Sequence, residues 1–463
     1  MDNKKKVGFL LVFFILIAMY LLPVAPGLTP AGQSTIGITV IFFILIVTEA
    51  LPIGISSLLT VALMPLTGAT SNFAGALVGF SHPVIFFILG SFAIAAAIMN
   101  VPITKRLLSF LISRGSLSVN RILLMMMITT AVLSLFMSNV PTVAIMMSIA
   151  LEFINLIEEG EAKKSIAKTF MIAVPVATMI GGVSTPASSS LNLLAIGLLE
   201  QQTGVGIAFV HWMAVGIPVV VLLIPLAWFL MVRVYRPHPI PVKSIESYIQ
   251  SIKVQKKIEK KEALVMVILS IMLILWILSS WVTGIDIFIV ALLGSLLFFM
   301  PGINVLSWKD FLKTINWDII FLSGAVLSIA NAIVMHEVSI WLIDSFYPEN
   351  LVLTTHLLLV ISGIIVFAMA LIVTSAPALI TVMAVPLITM ATISGVPPAY
   401  LLILLAFCAG NCYLLPLDTV QMITYSKGHY GMTDMARSTI FLQIAMVAIL
   451  ALWIPFIGGV LGF

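Results

Sequence analysis

The sequence RILLMMMITTAVLSLFMSNVPTVAIMMSIALE, residues 121–152, places 30 residues without a charged side chain between an arginine and a glutamate. One straight helix of that length would measure about 45 Å, which exceeds the roughly 30 Å of a bilayer's hydrocarbon core. Asn139 and Pro141 interrupt the run near its centre, and basic residues flank it on both sides. Because basic residues favour the cytoplasmic side, we predict a helical hairpin that enters the membrane, turns at residues 138–142 and leaves by the same face.

The composition of the chain indicates a polytopic membrane protein. Hydrophobic residues make up 61% of the 463 residues, charged residues only 9%, and the mean hydropathy is +1.23, whereas about a quarter of the residues in a soluble domain are charged. The net charge of +4 arises from dispersed residues, so it indicates topology and no nucleic-acid partner. Cys408 and Cys412 lie four residues apart without a nearby histidine, which favours packing over a metal or disulfide site.

The order of apolar and polar segments predicts two repeats. Residues 82–90 (HPVIFFILG) align without a gap with residues 316–324 (NWDIIFLSG), and each segment introduces a span. The first repeat, residues 1–232, is predicted to contain scaffold spans in 1–99, an interfacial helix at 102–114, a hairpin at 119–157, a broken span at 168–205 and a span at 210–232.

A polar cytoplasmic linker is predicted at 233–262, before the second repeat. The second repeat, residues 263–463, is predicted to contain scaffold spans in 263–333, an interfacial helix at 335–346, a hairpin at 352–393, a broken span at 399–426 and a last span at 438–460. With a cytoplasmic N-terminus, all 22 lysine and arginine residues fall on the cytoplasmic side. We therefore predict an all-α polytopic membrane protein with two inverted-topology repeats, about eleven spans, two re-entrant hairpins and two broken helices, an architecture of secondary transporters.

Breaks inside apolar spans are the candidate binding sites. A helix that begins within the membrane presents unpaired backbone N–H groups and the positive end of its dipole, so it attracts a carboxylate without an arginine or lysine. Ser138, Asn139 and Thr142 add side-chain donors at the first hairpin. In the broken span that follows, the unwound carbonyl groups and the hydroxyl groups of residues 181–192 suit Na⁺.

These motifs resemble the divalent anion:sodium symporter family over essentially the whole chain. In that family each hairpin carries a Ser-Asn-Thr motif, and two spans are broken by loops of the Thr-Pro-Pro-Asn type. Ser138 and Asn139 match the first motif, with Val140 in place of its threonine. The first loop matches at Asn192, with Ser189 at the threonine position of the family.

The resemblance implies the roles of individual residues. A sodium ion would bind Ser138, Asn139 and the backbone of Gly182 or Gly181. A homodimer is also implied by the resemblance alone. The candidate substrate-binding residues, from the resemblance and from the breaks, are Ser138, Asn139, Thr142, Ser189, Asn192, Thr374, Ser375, Thr419 and Gln421.

The second half departs from the family pattern. Its hairpin reads TSAP at residues 374–377, without an asparagine, and its loop has Asp418 where a small residue is expected. An ionisable group inside a span is a functional hypothesis by default, so Asp418 is interpreted as a cation ligand or a proton carrier. The alternative is a structural carboxylate that bonds to loop N–H groups or pairs with Lys427. Gln421 either faces the substrate or satisfies the loop backbone.

Together these features predict a multi-pass transporter of the inner membrane that imports a small organic anion, of the di- or tricarboxylate type, by Na⁺ symport and elevator-type alternating access. Its partners would be the anion, Na⁺, the bilayer and a second copy of the chain, with no other cofactor. H⁺ symport through Asp418 and carboxylate exchange are the alternatives. An anion channel is less favoured, and so is an intramembrane enzyme, because the sequence has no HExxH motif and no recognisable serine–histidine pair.

Overall fold

The structure is a computed structural model that describes residues 3–112, 118–252, 257–346, 353–373 and 375–462. Within these ranges it contains 22 α-helices and two short 3₁₀ helices, and no β-strand. A helix satisfies its backbone hydrogen bonds within its own segment, which is what an apolar chain requires in hydrocarbon. The all-α polytopic fold predicted from the sequence is therefore confirmed.

The first half of the chain ends with a long helix that follows a broken one. Its α-helices are α1 (Asn3–Leu21), α2 (Pro30–Val47), α3 (Ile53–Thr67), α4 (Phe73–Ala76), α5 (Pro83–Met99), α6 (Ile103–Ile112), α7 (Val119–Ser134), α8 (Asn139–Asn155), α9 (Glu161–Gly181), α10 (Ser190–Thr203) and α11 (Phe209–Tyr235). The 3₁₀ turns lie at Val78–Ser81 and Pro186–Ser188. The second of these turns separates α9 from α10 at the predicted break.

The second half repeats this order of elements. Its helices are α12 (Val242–Ser251), α13 (Lys260–Leu278), α14 (Ile287–Leu297), α15 (Trp308–Thr314), α16 (Trp317–Met335), α17 (Val338–Phe346), α18 (Thr355–Ala370), α19 (Ala376–Ile393), α20 (Pro398–Gly410), α21 (Thr419–Tyr425) and α22 (Asp434–Leu461). The helices α18 to α21 correspond in order to α7 to α10. In both sets a pair of helices precedes a helix that stops and resumes after a loop.

Helix length separates full spans from fragments. Seven described helices are long and apolar enough to cross a bilayer, and the pair α5 and α6, which is bent by 62°, raises the number to eight. Six other apolar helices, among them α7, α8, α18 and α20, have only 10–17 residues. At 1.5 Å per residue these fragments are shorter than a hydrocarbon core of about 30 Å. The hairpin helices α7, α8 and α18 and the broken-span helix α20 are such fragments, whereas α9 and α19 are among the seven long helices.

Packing between the two halves brings their breaks together. The helices α9 and α20 are buried along most of their length. The fragment α10 packs against α19 and α20 of the second half, and α21 packs against α8 and α9 of the first half. Each broken span therefore places its second fragment in the other half, and the two breaks face the same space.

The predicted polar linker is partly packed against the first half. Its helix α12 is amphipathic and buries Ile245 and Tyr248, and Ile252, which directly follows the helix, is also buried. The ring of Tyr248 lies 4.8 Å from that of Phe153 in α8, measured between centroids. Glu262, the last residue of the predicted linker, is buried in the first turn of α13. The apolar face of α12 thus continues the core of the membrane part.

Candidate functional site

A cavity of about 590 Å³ lies where the breaks of the two halves meet. Four helix starts contribute to its wall, those of α8, α10, α19 and α21. The remaining wall is largely apolar and includes Phe92, Leu322 and Val373. The polar residues at the four helix starts are Ser138, Asn139, Ser189, Ser190, Ser375, Asp418 and Thr419.

The start of α8 is an uncapped helix N-terminus at the cavity wall. Ser138 precedes the helix with extended backbone (φ −63°, ψ 159°), and its side chain makes no hydrogen bond to the first turn. Pro141 is tolerated in that turn because the missing N–H would have no intrahelical partner there. The hydroxyl of Thr142 donates to the Ser138 carbonyl at 3.0 Å and closes the turn. The N–H groups and positive dipole end of α8 therefore meet the cavity.

Buried side chains hold the loop between α9 and α10. The Asn192 amide donates to the carbonyl oxygens of Gly182 and Thr185, each at 2.8 Å. The Ser188 hydroxyl donates to the same Gly182 oxygen at 2.7 Å. The Thr185 hydroxyl donates to the Leu135 carbonyl at 3.0 Å, which ties this loop to the turn of the first hairpin. The Asn192 amide group is thus used to build the loop.

Two buried oxygens beside this loop, Oδ1 of Asn139 and Oγ of Ser134, have no hydrogen-bond partner among the described residues. Gly182 lies against Asn139 and Gly181 against Ser134, so closely that a Cβ on either glycine would overlap its neighbour. An unpaired buried oxygen is costly unless a cation or water binds it. Within the described ranges no three His, Cys, Asp or Glu side chains are placed so that they could hold a metal ion together, and neutral oxygens of this kind suit Na⁺.

Asp418 forms the N-cap of α21 on the second-half side of the cavity. Its Oδ1 accepts a hydrogen bond from the N–H of Val420 at 3.0 Å. The backbone N–H of Ala376, the first residue of α19, also lies near this carboxylate. Ser375, which precedes α19, makes no side-chain bond to that helix. Asp418 therefore lies at the N-terminal ends of α19 and α21. Within the described ranges no ion pair joins it to Lys427.

Gln421 is fully buried and bonds to the backbone of its own loop. Its Oε1 accepts from the N–H groups of Leu417 at 3.1 Å and Asp418 at 3.3 Å. Its Nε2 donates to the Cys412 carbonyl at 2.6 Å. Gln421 does not line the cavity. Of the two candidate roles of Gln421, facing the substrate or bonding to the loop backbone, the structure shows the contacts of the second.

Four charged side chains line the cavity: Lys5, Glu49, Asp318 and Asp418. Lys5 belongs to the start of α1, and Glu49 follows the end of α2. Asp318, in the first turn of α16, accepts a hydrogen bond from the Gly54 N–H at 3.0 Å. With all four groups ionised, one positive and three negative charges give the lining a net charge of −2.

The structure brings together most, but not all, of the residues predicted from the sequence. Ser138, Asn139, Ser189, Ser375, Asp418 and Thr419 line the cavity. Thr142, Gly181, Gly182, Asn192 and Gln421 lie behind that lining, and Thr374 falls outside the described residues. Direct roles of these residues in binding stay predictions. Sequence reasoning missed Ser134, whose one signal is a serine in the last turn of the apolar helix before the break.

Relatives and a solved structure resemble the chain over most of its length. The sodium-dependent dicarboxylate transporter SdcS of Staphylococcus saprophyticus subsp. saprophyticus is 26% identical over 432 residues, which are 88% of this chain and 82% of that protein. SdcS of Staphylococcus aureus (strain USA300) is 28% identical over 429 residues, with the same two coverages. The YdaH transporter of Alcanivorax borkumensis has a similar fold, with a TM-score of 0.55 at 13% identity over 84% of this chain and 87% of that chain.

A family-level match covers nearly all of the sequence. The family model described as "Sodium:sulfate symporter transmembrane region" matches residues 3–463. The matched range includes both hairpin regions and both breaks. The chain therefore belongs to the sodium:sulfate symporter family, that of the divalent anion:sodium symporters whose motifs its sequence resembles.

Proposed function

We propose that this protein is a secondary transporter of the cell membrane that couples Na⁺ to the uptake of a small organic carboxylate. The observation that carries this proposal is Asn139, which lines the cavity, begins α8 and has a buried Oδ1 without a hydrogen-bond partner among the described residues. One residue therefore combines an oxygen suited to a cation with a helix end suited to an anion. Membership of the family and the two relatives named as sodium-dependent dicarboxylate transporters support the same substrates.

The carboxylate would bind at the starts of α8 and α10. There it replaces water on the N–H groups of the first turn of α8 and on the hydroxyls of Ser138 and Ser189. Ser375 and Thr419 line the opposite wall and would contact the remainder of the substrate, together with Thr374 by resemblance. Thr142, Asn192 and Gln421 would act behind this surface by holding its backbone.

Sodium would bind Oδ1 of Asn139, Oγ of Ser134 and the backbone near Gly181 and Gly182, with Ser138 beside them. A cation there lies next to the bound carboxylate. At an effective dielectric constant of about 20, opposite unit charges about 5 Å apart attract each other by roughly 3 kcal/mol. Because such coupling is reciprocal, Na⁺ would raise carboxylate affinity by roughly a hundredfold, and the carboxylate would do the same for Na⁺.

The transport cycle would be alternating access of the elevator type in a homodimer. The hairpins and broken spans, α7 to α10 and α18 to α21, would move against the remaining spans. Opposite orientation of the two repeats and a cytoplasmic N-terminus are supported by the basic residues, all 22 of which then face the cytoplasm. The amphipathic helix α6 follows the 62° bend after α5 and would link the two bodies.

Asp418 favours one alternative, symport of H⁺. A carboxyl group in the cavity wall of a membrane protein could carry the coupling proton. Exchange of carboxylates across the membrane uses the same site and is the other alternative. Both predict uptake that is independent of a Na⁺ gradient.

Uptake into proteoliposomes that contain the purified protein tests these functions. Radiolabelled mono-, di- and tricarboxylates are offered under an inward Na⁺ gradient, an inward H⁺ gradient or neither, with empty liposomes as the control. Concentrative uptake that requires Na⁺ supports the proposal. Uptake driven by H⁺ and lost in Asp418→Ala would replace it with H⁺ symport, and uptake only against internal carboxylate would replace it with exchange.

A further inference from the structure

The carboxylate of Asp418 lies at the N-terminal ends of α19 and α21, the two helices of the second half that begin at the cavity. It accepts a hydrogen bond from the N–H of Val420 in α21, at 3.0 Å, and lies near the N–H of Ala376, the first residue of α19. The α19 helix is 18 residues long, and its preceding residue Ser375 contributes no side-chain cap. A carboxylate of the protein, that of Asp418, therefore occupies the position at the starts of α19 and α21 that a carboxylate of the substrate could otherwise take.

The starts of α8 and α10 in the first half differ from those of α19 and α21 in the second half in the charge of their cavity-lining residues. No acidic residue lines the cavity at the starts of α8 or α10, where Ser138, Asn139, Ser189 and Ser190 are found. Asn139 is 8% exposed, and its Oδ1 has no partner among the described residues. The start of α8 is thus open to an external anion and a cation, whereas at the start of α10 the Ser189 hydroxyl oxygen accepts from the Leu191 N–H at 3.2 Å. The second-half side already contains its carboxylate.

The rest of the lining also disfavours a doubly charged anion. Among the described residues that line the cavity, Lys5 is the one with a cationic side chain, whereas Glu49, Asp318 and Asp418 carry carboxylates. A second carboxylate on the substrate would lie close to Asp418, whose carboxylate already accepts from the N–H of Val420. Repulsion between like charges and loss of hydration both oppose such a complex. Beside Asp418 the wall combines the apolar residues Val373, Leu417 and Val420 with the hydroxyl groups of Ser375 and Thr419.

We infer that the substrate carries a single carboxylate and an uncharged remainder, with Asp418 in the place that the second carboxylate of a dicarboxylate would take. This inference rests on the proposed function and narrows its substrate class. The carboxylate would bind at the starts of α8 and α10. The uncharged remainder would lie against Asp418 and the wall beside it. Specificity of this kind comes from a built-in unfavourable contact with the wrong substrate.

Matched pairs of acids test the inference in the purified full-length protein. Butyrate is compared with succinate, and hexanoate with adipate, because each pair differs in one terminal carboxylate at equal carbon number. Uptake into proteoliposomes is measured at pH 7.5 under an inward Na⁺ gradient. We expect the uptake efficiency for each monocarboxylate to exceed that for its partner by at least about tenfold, the equivalent of one unfavourable charge contact.

The variant Asp418→Asn removes the charge at nearly constant shape and should lower that preference by about tenfold or more. Asp286→Asn is the matched control, because Asp286 also caps a helix, accepting from Phe288 at 2.7 Å and Ile289 at 2.9 Å, but does not line the cavity. It should leave the preference unchanged. If Asp418→Asn does not fold, Asp418→Ser, which keeps a capping hydroxyl, takes its place.

The outcomes separate this inference from the proposed function. A wild-type preference for butyrate and hexanoate that falls in the Asp418 variant supports the inference. Na⁺-driven uptake that favours succinate and adipate overturns it and leaves the proposed function standing. An equal preference in wild type and variant shows that Asp418 does not select the substrate, which also overturns it. Absence of Na⁺-driven uptake for all four acids overturns the proposed function itself.

Discussion

Arg106 and Glu262 lie 156 residues apart in the sequence and form an ion pair with two contacts, in which Nη2 of Arg106 is 2.8 Å from Oε2 of Glu262. The adjacent Lys105 pairs with Glu152 of α8, also at 2.8 Å. Neighbouring residues of α6 are therefore bonded to the first hairpin and to the start of α13. The side chain of Glu262 is fully buried, whereas Lys105 and Glu152 are both partly exposed.

Replacing Arg106 by glutamine should destabilise the protein, because it leaves a buried carboxylate without its cation. We expect the midpoint of thermal unfolding in detergent to fall by roughly 5 °C or more. The double variant Arg106→Gln with Glu262→Gln should recover much of the loss. Lys105→Gln is the control for removal of a charge from the same helix, and it should have little effect because exposed ion pairs contribute little. Equal losses in Arg106→Gln and Lys105→Gln would contradict this prediction.

Gly182→Ala should weaken activation by Na⁺. A Cβ at this position would overlap the side-chain amide of Asn139, which must then move away from the proposed cation site. We expect the Na⁺ concentration that gives half-maximal uptake to rise by at least about tenfold. Gly459→Ala is the matched control, since a Cβ there meets no atom within 4 Å. An unchanged Na⁺ dependence in Gly182→Ala would show that Asn139 is not a sodium ligand.

Ser134→Ala tests the second unpaired oxygen. Removal of an oxygen that only a cation or water can satisfy should affect Na⁺ binding more than folding. Half-maximal uptake should require about three- to tenfold more Na⁺, with a nearly unchanged unfolding temperature. Ser148→Ala in α8 is the control, because that exposed hydroxyl bonds to the carbonyl of Ala144 at 3.0 Å. A large fall in stability without a change in Na⁺ dependence would assign Ser134 a purely structural role.

Gln421→Ala should affect stability rather than substrate preference. The change leaves the N–H groups of Leu417 and Asp418 and the Cys412 carbonyl without their partner. Each buried unsatisfied group costs about 1–3 kcal/mol, so a clear fall in the unfolding temperature and in the maximal uptake rate is expected. The exposed Gln250→Ala serves as the control. A changed ratio of mono- to dicarboxylate uptake at wild-type stability would instead place Gln421 at the substrate.

The sequence alone predicted the membrane fold and the positions of the breaks. Pro141 and Asn139 in the first hairpin, and Asp418 in the second broken span, interrupt runs that are otherwise apolar. Such interruptions are local: a proline or a buried polar group ends a helix through its own backbone and nearest neighbours. The helices accordingly begin at Asn139 and, after Asp418, at Thr419.

Only the tertiary structure decided which polar atoms face the cavity and which serve the backbone. Asn192 and Gln421 resemble ligands in the sequence, yet their amide groups bond to loop backbone. Ser134 resembles an ordinary helix residue, yet its hydroxyl has no partner among the described residues. The contact of Asp418 with Ala376 joins residues from separate helices. A one-dimensional pattern specifies where a helix stops, whereas the partner of a buried polar atom depends on helices that are distant in sequence and meet only when the halves pack.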